Sequence, residues 1–79
     1  MRYSLETKLS AETVRKEAIA YFGDRLGLKV TNDEENVLCL EGGGGYVTVL
    51  VCPGDKTSVE ILTQEWDNAV TDFLAKIRK

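Results

Sequence analysis

Asn36-Val37-Leu38-Cys39-Leu40-Glu41-Gly42-Gly43-Gly44-Gly45-Tyr46-Val47-Thr48-Val49-Leu50-Val51-Cys52 is the stretch that decides how this chain is read. Two β-rich runs flank four glycines. Val, Leu, Thr and Tyr suit a pleated, half-buried surface, and glycine supplies the positive φ of a tight connection. The stretch predicts two antiparallel strands, 36–41 and 46–52, joined by a flexible glycine hairpin. Period two sends either Val37 and Cys39 or Leu38 and Leu40 outward. Leu38 and Leu40 are expected inside. The glycines also suggest a phosphate cradle made of backbone N–H groups. Phosphate loops of the dinucleotide and nucleotide types lead from a strand into a helix. This one leads into another strand, and no Lys-Ser or Lys-Thr follows. The hairpin reading stands.

Outward from the hairpin, short strand-like runs alternate with polar turns. Downstream, Pro53-Gly54-Asp55 closes the second run, and residues 57–62 form another. Upstream, Leu28 to Asn32 reads as a strand closed by Asp33-Glu34-Glu35. That acidic turn lacks the ligand spacing of a calcium loop. Turn residues between short β-rich runs predict a series of antiparallel hairpins.

The flanks complete the pattern. Residues 2–9 alternate Tyr3, Leu5, Thr7 and Leu9 with Arg2, Ser4, Glu6 and Lys8, which predicts a half-buried strand. Ser10 is the expected N-cap of a helix, with Glu12 in its first turn and a Leu9–Val14 staple. Val14, Ala18, Tyr21, Phe22 and Leu26 fall at helical spacing. That helix is expected to stop at Gly23, or at Gly27 in a Schellman motif with Leu28 as its apolar partner. A second helix is predicted over 64–78 from the stripe Trp66, Val70, Phe73 and Ile77. Thr63 is its expected N-cap. Glu65 and Asp67 at one end, and Lys76, Arg78 and Lys79 at the other, complement its dipole. Glu65 and Asp67 lie two apart, so their carboxylates diverge rather than pair.

The element order is β-α-β-β-β-β-α, an α+β domain with a five-stranded antiparallel sheet spanning residues 1–79. From Tyr3 to the final helix, this order resembles one repeat of the TATA-binding-protein-like fold, a relative of the helix-grip folds that include START-type lipid-binding domains. The resemblance implies that the first strand lies beside the last and that both helices cover one sheet face. Leu5, Leu9, Val47, Val49, Val51, Val59 and Ile61 would form the covered face. In the TATA-binding protein, the open face grips DNA with basic residues and inserted phenylalanines. Here that face presents Glu6 and Glu60 and no Phe, so DNA binding is not expected to carry over. Double-stranded-RNA-binding domains need a basic second helix and basic loops. This helix opens with Glu65 and Asp67.

Composition narrows the function classes. The 79 residues carry 10 Lys and Arg against 13 Asp and Glu, a net charge of −3, and no His. A basic nucleic-acid module and a His-based site are excluded on those numbers. Cys39 and Cys52 are the only cysteines. They read as reduced thiols inside apolar runs, with a disulfide between neighbouring strands as the alternative. Two cysteines do not close a zinc site, which takes four ligands. No metal or cofactor is expected. The residue types of general acid–base or nucleophilic catalysis are not assembled, so an enzyme is not expected. No apolar run approaches the ~18 residues of a membrane span. Arg2 and Glu6 lie where a secretory signal would be apolar, so a soluble cytoplasmic protein without membrane contacts is expected.

Two readings of function remain. By alternation, the open face carries Tyr46, Thr48, Leu50 and Cys52 beside Ser58, Glu60 and Leu62. Leu50 and Leu62 have no evident core partner. An apolar strip on an open sheet marks an interface. The first reading is therefore an interaction module using Tyr46, Thr48, Leu50 and Leu62, with a homodimer or a protein partner. The alternative is a carrier holding a small apolar ligand between sheet and second helix, lined by Phe22, Val49, Ile61, Trp66, Val70 and Phe73. Size weighs against it, because a small domain has little core to give up to a cavity.

Overall fold

Alternation does build the first strand, β1 (Arg2–Thr7), and a threonine ends it. The computed structural model describes residues 2–34 and 36–78. β1 stops short of the expected Leu9. The Thr7 hydroxyl accepts the Leu9 N–H at 3.2 Å and donates to the Ile77 carbonyl at 2.6 Å. This turns the chain out of the sheet and ties β1 to the end of the last helix. Leu9 packs against the edge of the core instead of extending the strand.

Ser10 caps α1 (Ala11–Ala18) as expected, its hydroxyl accepting the Thr13 N–H at 3.2 Å. The helix does not stop at Gly23. It widens into a π-helical segment, Ile19–Arg25, and ends at Gly27 with φ +79°. The Gly27 N–H bonds the Gly23 carbonyl at 3.0 Å, and the Leu28 N–H reaches Phe22 at 2.9 Å. A Schellman closure would take Leu28 to Gly23. The wider helical register moves that bond back by one residue, while glycine still supplies the left-handed turn.

β2 (Lys29–Asp33), β3 (Val37–Gly42), β4 (Gly45–Cys52) and β5 (Thr57–Gln64) follow, then α2 (Asp67–Ile77). The sheet is five-stranded, in the order β1-β5-β4-β3-β2, and every neighbouring pair is antiparallel. The first strand thus lies beside the last. β2 starts one residue later than expected and is bulged between Val30 and Asn32. Of the anticipated turn at 33–35, Asp33 belongs to β2, and Glu35 lies outside the described residues.

The end of β5 corrects the sequence reading. Thr63 is not the N-cap of α2. It lies inside the strand opposite Val47, is 1% exposed, and its hydroxyl donates to the Tyr46 carbonyl at 2.8 Å. Its inward position in the pleat, not its capping chemistry, decides its place. Glu65, with φ +75°, then bends the chain, and Trp66 occupies the cap position. Glu65 is therefore outside the helix. Of the expected cations at the other end, Lys76 lies in the last turn and Arg78 at the cap. Lys79 lies outside the described residues.

One core cluster joins the helices to the sheet. Val14, Ala18 and Phe22 pack with Leu38, Leu40, Val47, Val49, Val51, Val59 and Ile61, and with Val70, Phe73, Leu74 and Ile77. Leu38 and Leu40 point inward as expected, each with no exposed surface. The first helical segment and α2 meet directly, with the Phe22 and Phe73 rings 5.1 Å apart and Tyr21 and Phe73 5.7 Å apart. Lys76 bridges to Glu17 at 3.2 Å above them. At the far side, Arg15 pairs with Asp33 and ties α1 to β2.

Candidate functional site

The residues opposite the core form a second surface, and strand register fixes their arrangement. Across one line of the sheet run Arg2, Leu62, Thr48 and Cys39, each directly opposite the next. The adjacent line is Ser4, Glu60, Leu50 and Val37. Tyr46 stands between Gln64 and Glu41 on one side of these lines. Cys52 faces Ser58 on the other. Leu62, Leu50, Val37 and Cys39 therefore form one patch around Thr48, with Tyr46 at its margin.

Exposure agrees with that placement. Tyr46 is 40% exposed, one of two large apolar residues at this level among those described. Thr48, Leu50, Leu62, Val37 and Cys39 are half-buried. Charges of both signs frame the patch. Arg2 bridges to Glu60 at 2.8 Å on the β1 side, and Lys29 lies opposite Glu41 on the β2 side. Two open depressions indent this face. One, of about 790 Å³, is bordered by Lys29, Cys39, Glu41, Tyr46 and Thr48. The other, of about 490 Å³, is bordered by Ser4, Glu6, Leu50, Cys52 and Glu60.

The cysteines also belong to this surface. Both thiols are free, Cys39 half-buried and Cys52 exposed. Cys39 faces Thr48, whose hydroxyl lies 3.7 Å from its sulfur, whereas Cys52 faces Ser58. The cross-strand disulfide alternative is thereby corrected, because neither cysteine has the other as its neighbour. Cys52 also departs from the expectation of a thiol packed in an apolar run, since alternation turns it outward at the strand end.

The six residues of the carrier reading come together differently. Phe22, Val49, Ile61, Val70 and Phe73 have no exposed surface and fill the core cluster. Trp66 is only partly buried, at the edge of that cluster. Its indole N–H donates to the Gly42 carbonyl at 2.8 Å. Its ring lies so close to Gly43 that a Cβ there would sit 2.7 Å away. Trp66 thus clamps the glycine hairpin.

The hairpin explains its own composition. Gly42 and Gly45 pair, and Gly43 and Gly44 have φ of +58° and +83°. Two consecutive positive φ values are what a two-residue type I′ hairpin demands. Gly45 has a different constraint. A Cβ there would run into the Gln64 carbonyl oxygen and come within 2.7 Å of the Glu65 Cβ. The run of glycines is consumed by turn geometry and close packing against Trp66 and the end of β5.

Two of the polar links that sequence reasoning missed involve β1. One is Arg2–Glu60, which only the β1–β5 register reveals. The other is the Tyr3 hydroxyl, which donates to Asp67 at 2.9 Å. That bond, then lost hydration, then the carboxylate charge hold the Tyr3 phenol above the usual tyrosine range. Among the described residues, no group of three or more Cys, Asp or Glu gathers in a metal-holding arrangement, and no helix is long and apolar enough to cross a membrane. No family model matches this chain, and no curated protein matches it in sequence.

Proposed function

We propose that this chain is a non-catalytic interaction module whose open sheet face docks on another protein surface, a second copy of itself being the partner that fits. The observation that carries this reading is the patch of Leu62, Leu50, Val37, Cys39 and Tyr46, which the single core does not use. The wider architecture, a sheet with one face committed to helices and one face free, is what the resemblance to TATA-binding-protein-like repeats implies. The acidic open face favours protein over nucleic acid as the partner. Glu60, Glu6 and Glu41 would repel phosphates, and only Arg2 and Lys29 would attract them.

Self-association suits the charge pattern. Each margin of the patch carries both signs of charge, so a two-fold related copy has unlike charges available to pair with. By strand and residue spacing the face spans about 20 Å in each direction. That area, roughly 800 Å² in total over both copies, is that of a weak, transient contact, and a dissociation constant of roughly 0.1–1 mM is expected. Light scattering across concentration tests the proposal. Leu50→Glu should abolish the face-mediated association while leaving the circular dichroism spectrum unchanged. A wild-type protein that stays monomeric at millimolar concentration and captures no protein partner would refute it.

A further inference from the structure

The two edges of the sheet are unlike, and the difference points to a second contact. β2, at one edge, is bulged between Val30 and Asn32 and is tied to α1 through Asp33 and Arg15. A bulge is a standard way to stop an edge from pairing. β1, at the other edge, has unbroken register with β5 from Arg2 to Thr7. Among the described residues it has one strand neighbour, so the outer row of its peptide groups has no strand beside it. It contains neither proline nor glycine.

The side chains of β1 are symmetric about Ser4 in a way that matters. Antiparallel pairing of two β1 strands about a two-fold axis at Ser4 places Arg2 opposite Glu6 of the other copy. The same register places Tyr3 opposite Leu5, and Ser4 opposite itself. Both ion pairs lie on the open face, and both Tyr–Leu pairs lie on the covered face, where Tyr3 and Leu5 are half-buried and lean on the core. Directly opposed charges of unlike sign and aromatic–aliphatic pairs are the favourable cross-strand combinations. Glu6 makes no ion pair among the described residues, whereas Arg2 already bridges to Glu60 and would span two carboxylates. Moving the axis to Leu5 would instead set Arg2 against Lys8, a like-charge pair.

We infer that two copies of this chain join through β1 in the Ser4-centred register, forming one continuous ten-stranded antiparallel sheet. This contact rests on backbone pairing and on the Arg2–Glu6 and Tyr3–Leu5 pairs. It deepens the interaction-module reading, because it sets two open faces side by side and doubles the docking surface. It uses none of the residues of the Leu50 patch, so the two contacts fail separately.

The register is tested by cross-linking and by charge exchange, both in a Cys39→Ser/Cys52→Ser background. Under mild oxidation, Ser4→Cys should give a disulfide-linked dimer, since residues directly opposed across paired strands have Cβ atoms about 5 Å apart. Ser58→Cys, on the same face but one strand inward, should not. In sedimentation, Arg2→Glu and Glu6→Arg should each weaken the edge dimer by roughly tenfold, as each error occurs twice about the axis. The double variant Arg2→Glu/Glu6→Arg should restore it. Leu50→Glu should leave the Ser4→Cys cross-link intact. Failure of Ser4→Cys to cross-link above the Ser58→Cys level, or failure of the double variant to restore association, would overturn the edge contact. Loss of the cross-link with Leu50→Glu would show that association runs through the face alone, and would overturn it as well.

Discussion

The two faces of this sheet share one set of backbone hydrogen bonds and differ only in the side chains that alternation gives them. Along β4, Val47, Val49 and Val51 are at most 1% exposed. Their sequence neighbours Thr48 and Leu50 stay partly in water, and Tyr46 more so. Fully burying a side chain such as Val or Leu is worth about 1.5–3 kcal/mol. The covered face realises that gain on folding, whereas the open face keeps part of it in reserve for a later encounter. Stability and association should therefore respond to different substitutions on alternate residues of the same strand.

The largest effect belongs to the covered side. Phe73→Ala removes a ring in contact with both Tyr21 and Phe22, and should cost about 3–5 kcal/mol. A domain this small has a total of only about 5–15 kcal/mol, so the variant should be largely unfolded at moderate urea. Next comes the hairpin that sets the register of both faces. Gly45→Ala forces Cβ against the Gln64 carbonyl and should cost about 3 kcal/mol. Gly44→Ala meets no neighbouring atom within 4 Å and carries only its positive φ, for about 1 kcal/mol. Equal losses at the two sites would show that conformation alone, and not close packing, decides this loop.

On the open side, Leu50→Glu should change the urea midpoint by the equivalent of less than about 1 kcal/mol, as for other partly exposed positions. A loss as large as that of Phe73→Ala would mean that the two faces do not divide their roles. The smallest effect is electrostatic. Tyr3 donates to Asp67, and its folded-state pKa is raised. Its contribution is complete below the ordinary phenol pKa of about 10, and is lost as pH rises through the higher folded value. Between pH 9 and 12, the wild type should lose slightly more stability than Tyr3→Phe in urea titrations. Identical pH profiles would remove Tyr3 from the account.

Most of the fold was legible because period two and helical spacing are written in large side chains. Val47, Val49, Val51, Phe73 and Ile77 gave the covered face and the α2 stripe directly. What was not legible depended on the third dimension. Thr63 looked like a helix cap because cap and strand residues share the same side chains. Only its pairing with Val47 places it in β5. The π-helical widening after Ala18 has no sequence signature that a spacing count detects. The Leu50 and Leu62 surplus pointed to the open face. The partners that complete the patch, Val37 and Cys39, follow from the expectation that Leu38 and Leu40 point inward, which the pairing of β3 with β4 bears out.

The place of β1 beside β5 also sets an order of events. β3 and β4 close across a two-residue turn, and such hairpins form in about 1–10 μs. β1 has no strand partner until β5 exists, with Leu5 waiting for Val59. Contacts of such long sequence separation slow folding and form late. Leu5→Ala should therefore speed unfolding and leave the folding rate nearly unchanged, while Val49→Ala should slow folding. During synthesis, β1 is made well before the strand it pairs with, and both rows of its peptide groups lack a native strand partner throughout that interval.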